Sequence, residues 1–244
     1  MHFRVTKGDI VKDEDILYQP NVISKYIKKN DKVLELGSGQ GANITYLAKL
    51  HPDASFIGID LYPKLKKNAP KNIKIYKQDY SSLPFIEDES IDVIYGIETI
   101  VHCTDKRKVF KEIKRILKKG GVLILYDYTL TKKYEKLKPY EQTAMKIISK
   151  GGAAALIESL DEWNTYIKET GFKEIKTSDL HKELLPDLKK LERIADHIMK
   201  KDNRIRIFMK LFPKTFFNNI LLGWLGYDAY NEGVGYYTEW IYKK

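Results

Sequence analysis

The sequence predicts an α/β fold: a largely parallel sheet of seven strands with a helical insertion before the last strand. Three observations predict it. Short apolar runs alternate with amphipathic helical patterns through roughly the first 130 residues. A glycine-rich turn, Gly37 to Gly41 (GSGQG), joins the first run directly to the first helical pattern. Two further strand patterns enclose about 55 residues that contain none.

Residues 32–36 (KVLEL) read as a short buried strand, and the helix after the glycine turn places Ile44, Leu47 and Ala48 on one face before ending at His51-Pro52. Strands follow at 55–60 (SFIGID), 73–78 (IKIYKQ) and 91–97 (IDVIYGI). An amphipathic helix with Val109, Phe110, Ile113, Ile116 and Leu117 inward is expected to stop at Gly120-Gly121, where Lys118-Lys119 suit a helix C-terminus. The fifth strand is 122–128 (VLILYDY). A helical stretch from about 134 to 170 contains a break at Gly151-Gly152. The sixth and seventh strands are 172–178 and 234–243. The chain thus divides into a core of 1–180 plus 233–244 and an inserted helical subdomain, 181–232.

Of 244 residues, 43% are hydrophobic and 31% charged, enough apolar mass for a sizeable core and too much for a disordered chain. Cys103 is the sole cysteine, which excludes a disulfide framework and multi-cysteine zinc; no metal is expected. No apolar run reaches the ~18 residues of a membrane span. The N-terminus (MHFRVTKGDIVKDED) has no apolar signal region, so a cytoplasmic location is expected.

The net charge of +10 raises a nucleic-acid partner. However, 37 Lys stand against 6 Arg, and arginine is the residue of base readout and phosphate clamping. The basic residues recur on 64–77, 106–119 and the insertion, on outer helix faces. They read better as a solvated surface, with an anionic membrane as a lesser possibility.

The glycine turn admits two cofactors. Gly37, Gly39 and Ala42 satisfy a dinucleotide fingerprint, and Asp60 about 20 residues on can hold ribose hydroxyls of either a dinucleotide or S-adenosylmethionine. Three features favour S-adenosylmethionine. Glu35 just before the glycines would repel a pyrophosphate but support an ammonium. Asp79 can accept from an adenine amino group while the neighbouring Tyr80 covers the ring. The chain ends on a strand, an insertion and a Tyr/Trp-rich strand, where a dehydrogenase half would lead into a second domain.

VLELGSGQG, GID, QDYSSLPF and IDVIYGIETIVHCTDKRKVFKEIKRILKKGGVLIL, in this order and spacing, resemble the class I S-adenosylmethionine-dependent methyltransferases over about residues 30–130. The resemblance implies a Rossmann-like seven-stranded methyltransferase sheet. It implies that Glu35, Gly37, Ser38, Gly39 and Gly41 hold the methionine part and Asp60 the ribose. Leu61 and Tyr62 would border the adenine, Asp79 its amino group, and Gly96 and Ile97 the sulfonium end. Glu98 to His102 (ETIVH), with Asp127-Tyr128 and the insertion, is similar to the sterol, tocopherol and phosphoethanolamine methyltransferases, in which the acidic-xxx-His segment faces the acceptor. The short segment before the first strand and the insertion depart from those enzymes, so acceptor identity does not carry over.

Methyl transfer needs an aligned nucleophile, excluded water and, for a protonated nucleophile, a base. His102 suits that role at neutral pH, its alternative being a hydrogen-bonded turn residue. Glu98 can orient His102 or face an acceptor cation, and Tyr128 can hydrogen-bond the acceptor from the face it shares with Tyr126. Tyr18 can come over the site from the N-terminal segment. The insertion's Phe208, Phe212, Phe216, Phe217, Trp224, Tyr227 and Tyr230 either form its core or line a lid over the acceptor, with Trp224 and Tyr227 as acceptor contacts. Cys103 lacks the preceding proline of a cytosine-methylating nucleophile and reads as a buried small residue. The expectation is methyl transfer from S-adenosylmethionine, yielding S-adenosylhomocysteine, to a small-molecule acceptor such as an amine, a lipid or isoprenoid, or another metabolite. Peripheral membrane contact is expected if that acceptor is a lipid. An RNA methyltransferase is the alternative.

Overall fold

Strand β1 (Lys32–Leu36) is buried at four of its five positions because it lies inside a seven-stranded sheet, flanked by strands on both sides and covered on both faces. Around it lie β2 (Ser55–Asp60), β3 (Ile73–Lys77), β4 (Ile91–Ile97), β5 (Leu117–Leu130), β6 (Lys173–Asp179) and β7 (Gly235–Lys243). The order is β3-β2-β1-β4-β5-β7-β6. The first five strands run parallel, and β7 is antiparallel to both β5 and β6. The computed structural model describes residues 2–8, 10–152, 154–155, 157–200 and 214–244, without the side chains of 198–200 and 214–219.

Helices cover both faces. On one lie α1 (Tyr18–Ser24), α2 (Ala42–Leu50), α4 (Pro139–Gly151), α6 (His181–Lys200) and α7 (Lys214–Asn231). On the other lie α3 (Lys106–Ile116) and α5 (Leu160–Glu169), where Trp163 stacks on Trp240 at 4.9 Å. The helical patterns hold in detail: Ile44, Leu47 and Ala48 of α2 and Val109, Phe110, Ile113 and Ile116 of α3 are buried. Helix α4 ends at Gly151, at the expected break. Of the insertion, Leu184, Leu188, Ala229 and Tyr230 join the same apolar cluster as Tyr126 and Tyr237 of the sheet. Phe208 and Phe212 lie outside the described residues, as do the side chains of Phe216 and Phe217. Among the described residues, no helix is long and apolar enough to cross a membrane.

One boundary differs from expectation. Helix α3 ends at Ile116 rather than at Gly120-Gly121, and Leu117 already pairs with Ile91 as the first residue of β5. The cause is long-range. Gly120 N–H donates to the Lys244 carbonyl, and Lys244 N–H donates back to that of Gly121. Lys118 is drawn to Asp92 (2.7 Å) instead of a helix end. Backbone pairing with the far terminus outweighs a local stop signal.

The sheet reverses strand order between β1 and β4, which opens a crevice at their C-terminal edge. Thr99, just past β4, closes the floor of that crevice. A Cβ on Gly37 would sit 2.0 Å from the Thr99 Oγ1, and one on Gly96 would sit 2.9 Å from its Cγ2. Gly37 also has φ +69. Gly37→Ala is therefore expected to destabilise the fold by about 2–4 kcal/mol, through a left-handed alanine and a forced shift of Thr99. Urea denaturation measures it, and adding Thr99→Ala should recover only part of the steric cost, because the Cβ of residue 99 would still lie 2.7 Å from the new one.

Candidate functional site

The site begins with the turn between β1 and α2. Gly37, Gly39 and Gly41 all have positive φ, so the backbone folds into a tight loop that side-chain-bearing residues would strain. Gly37 and Ser38 N–H both donate to the Ile59 carbonyl, which ties the loop to β2. Asp60, at the end of β2, accepts from Gly39 N–H (2.8 Å) through one oxygen and from Tyr62 N–H (2.7 Å) through the other. A Cβ on Gly39 would meet nothing within 4 Å, so this part of the loop faces open space, beside the N-terminus of α2.

Glu35 lies beneath this loop and is almost completely buried. Burial pushes its carboxyl up to about 8, against the opposing pull of the Tyr95 hydroxyl, the Asn43 side chain and the Ile44 N–H. Its Oε2 has no hydrogen-bond partner among the described residues. A buried carboxyl with an unpaired oxygen under a glycine loop is a place for a cation.

The second half of the site follows β4. Glu98 has φ +51, a left-handed backbone that costs a non-glycine residue about 1–2 kcal/mol. Its N–H is anchored to the Tyr126 carbonyl at 2.7 Å. Its Oε1 accepts from the Phe3 N–H (2.9 Å) and the Tyr237 hydroxyl (3.1 Å). Burial raises this carboxyl to about 7. Tyr128 stands beside it, its ring against Phe3 (6.1 Å), Tyr230 (5.9 Å) and Tyr237 (5.1 Å). The buried Tyr128 hydroxyl has no hydrogen-bond partner among the described residues. Next on β5, Asp127 accepts from the Val101 and Tyr128 N–H groups, and burial raises it to about 6.

A segment at the N-terminus roofs this cluster. The His2 ring donates to the Ile16 carbonyl and accepts from Asn43 of α2. Phe3 meets Glu98, Arg4 pairs with the buried Asp187 of α6, and Thr6 N–H donates to the Glu183 carbonyl. Gln19 of α1 donates to both the Phe3 carbonyl and the Tyr237 hydroxyl.

The structure thus brings Glu35, the glycine loop, Asp60, Gly96, Ile97, Glu98 and Tyr128 to one sheet edge. His102 is exposed on the short turn Ile100–His102, near enough to Asp127 to lower its pKa. Leu61 and Tyr62 are exposed beyond β2, and Asp79 is exposed beyond β3, accepting from Ser81 N–H. Tyr80 turns inward instead: its hydroxyl donates to the Thr99 carbonyl and accepts from Cys103 Sγ. Tyr18 sits under Lys7, near Glu239, Lys176 and Glu183. Tyr227 lies under Lys189, and Trp224 is 39% exposed; among the described residues of the insertion, Tyr230 is the aromatic that reaches Tyr128.

Sequence reasoning missed Phe3, Gln19 and Tyr237. Tyr237 had a usable signal, since strand alternation places it on one face with Glu239 and Ile241, and it pairs with Tyr128. Phe3 and Gln19 had none, because their contacts span the whole chain.

Residues 34–125 match the model of a methyltransferase domain family. The chain is similar to a sterol 24-C-methyltransferase from Pneumocystis carinii, 27% identical over 70% of this chain and 50% of the relative. It spans about half the length of the curated relatives it matches. Among solved structures, it resembles phosphoethanolamine N-methyltransferase 2 of Haemonchus contortus, in complex with S-adenosyl-L-methionine (TM-score 0.69, 19% identity, 93% of this chain and 52% of that one). It also resembles geranyl diphosphate C-methyltransferase of Streptomyces coelicolor A3(2), in complex with S-adenosyl-L-homocysteine (TM-score 0.69, 12% identity, 100% and 91%). These structural likenesses establish the fold.

The raised carboxyl of Glu35 has a consequence for stability. The folded protein holds a proton there that the unfolded chain releases near the ordinary carboxyl value of 4.5, so the unfolded state binds fewer protons between about pH 4.5 and 8. Stability in the absence of ligand should fall as pH rises through that window, by about 1.4 kcal/mol for each unit of pKa shift. Urea midpoints across the window check it, and Glu35→Gln should remove the fall between about pH 7 and 8 and lessen it below, where Glu98 and Asp127 contribute with the same sign.

Proposed function

We propose that this class I S-adenosylmethionine-dependent methyltransferase carries a methyl group to a small-molecule acceptor that is a cation or becomes one, held against Glu98 beneath the helical insertion. The observation that carries the reading is the Glu98 carboxyl, strained into the crevice beside the glycine loop and surrounded by Tyr128, Tyr237 and Phe3.

S-adenosylmethionine, when bound, supplies a methyl group on a positively charged sulfur. The residues present fit it. Glu35, with its unpaired buried oxygen, would face the ammonium, and the open side of Gly39 leaves room for the methionine part, flanked by Gly37, Ser38 and Gly41. Asp60 would hold the ribose with the lone pairs its two backbone bonds leave over. Leu61 and Tyr62 would border the adenine, and Asp79 would accept from its amino group. Gly96 and Ile97 would line the sulfonium end. Tyr80 contributes by holding the Thr99 turn.

Methylating a neutral amine or an alkene leaves positive charge on the acceptor. A carboxylate with aromatic rings around it stabilises that charge by Coulomb attraction and cation–π contact. Sterols, phosphoethanolamine and geranyl diphosphate, named for the relatives, are all acceptors of this kind. With a carboxyl raised to about 7, Glu98 can also take a proton at neutral pH. The Tyr128 hydroxyl, beside Glu98, would orient the acceptor, and His102 is the alternative proton acceptor from the outer side of Asp127. Helices α6 and α7 with Tyr230, and the N-terminal segment with Phe3, would exclude water.

Transfer is measured as S-adenosylhomocysteine formed with a panel of amines, prenyl diphosphates and sterols. Glu98→Gln is expected to keep cofactor affinity near normal and lower kcat by about 100-fold or more, with loss of a pH-profile limb near pH 7. Unchanged turnover in this variant removes Glu98 from the reaction. His102→Ala should slow transfer if it is the base, and Asp60→Ala should weaken cofactor binding in calorimetry.

A further inference from the structure

Away from the crevice, a groove of about 1000 Å³ runs between the N-terminal segment and α6. Its walls are basic and its floor apolar. Lys182, Lys189 and Arg193 recur at helical spacing on one stripe of α6, with Lys190 beside them and Lys7 opposite. The opposite stripe of α6, Leu184, Leu188 and Ala195, is buried, so the helix cannot turn its cations away from the groove. Glu183 is the one acid among the described lining residues, and Glu192 engages Lys189 at 2.7 Å. Nearby Asp13 and Glu14 are matched by Arg4 and Lys12. Among the described residues, the groove's lining therefore carries more positive than negative charge, with Lys182, Lys190 and Arg193 in it.

Apolar side chains project at the same place. Ile10, in the groove wall, is 77% exposed. Trp224 lies one turn before the groove-lining Tyr227 on α7 and is 39% exposed. An exposed isoleucine gains nothing from a nucleic acid, which offers phosphates and flat base faces. It gains burial from a lipid interface, whose anionic headgroups also match the lysines.

We infer that this groove docks the protein on an anionic phospholipid surface, with headgroup phosphates among Lys182, Lys190 and Arg193 and with Ile10 and Trp224 entering the acyl boundary. The inference does not rest on the acceptor being a lipid. Through Thr6 on Glu183 and Arg4 on Asp187, the docked segment is the one whose Phe3 reaches Glu98, so the membrane face and the crevice share a wall.

Vesicle flotation of the full chain tests it. The protein should float with phosphatidylglycerol vesicles and not with phosphatidylcholine vesicles, and high salt should release it. Lys182→Ala/Lys190→Ala/Arg193→Ala should weaken binding about 100-fold, near fivefold for each cation removed, while its melting curve matches the parent. Ile10→Asn, at an exposed position, should weaken binding at unchanged charge. No flotation with anionic vesicles, equal flotation with neutral ones, or full binding by the triple variant overturns the inference. So does an RNA affinity that depends on these three cations while vesicles fail to bind.

Discussion

The packing of Thr99 into the space left by two absent side chains, those of Gly37 and Gly96, holds the two halves of the crevice together. The glycine turn after β1 and the turn after β4 come from segments about 60 residues apart. The first presents bare backbone at Gly37 where the second presents Thr99. With the two turns locked, Glu35 lies under the loop on one side and Glu98 is forced into a left-handed backbone on the other. Tyr80 reinforces the same joint by donating to the Thr99 carbonyl. Tyr80, expected beside a nucleobase, thus also braces the turn.

Three carboxyls, Glu35, Glu98 and Asp127, are all raised by burial, to about 8, 7 and 6. Without ligand they are a cost, since each is held away from water with incomplete compensation. A site that receives a positively charged cofactor offsets that cost on binding. A nearby positive charge would draw these carboxyls back to their ionised form, whereas a pyrophosphate would offer them no such compensation.

Much of the fold was legible because it is written in local patterns. Five parallel strands, the inward faces of α2 and α3, and the break at Gly151 all follow from periodicity and turn residues. The misjudged end of α3 shows where that legibility stops. Lys118-Lys119-Gly120-Gly121 is a good local helix terminus, yet its backbone groups pair with Lys244. Likewise, alternation along β5 puts Tyr128 on the face of Tyr126, but no pattern within the strand reveals that Phe3, Tyr230 and Tyr237 converge on it.

The sequence by itself determined the strand–helix alternation, the glycine turn and the acids at 35, 60 and 98, because backbone conformation and burial periodicity are properties of neighbours along the chain. Only the tertiary structure decided which of the candidate side chains meet. It brought Tyr230 rather than Tyr227 to the crevice, left His102 exposed, drew Tyr18 towards Glu239, and laid Phe3 on Glu98. The reason is that these contacts join residues from opposite ends of the chain. Their free energy comes from a shared core and a shared carboxyl that no local segment contains.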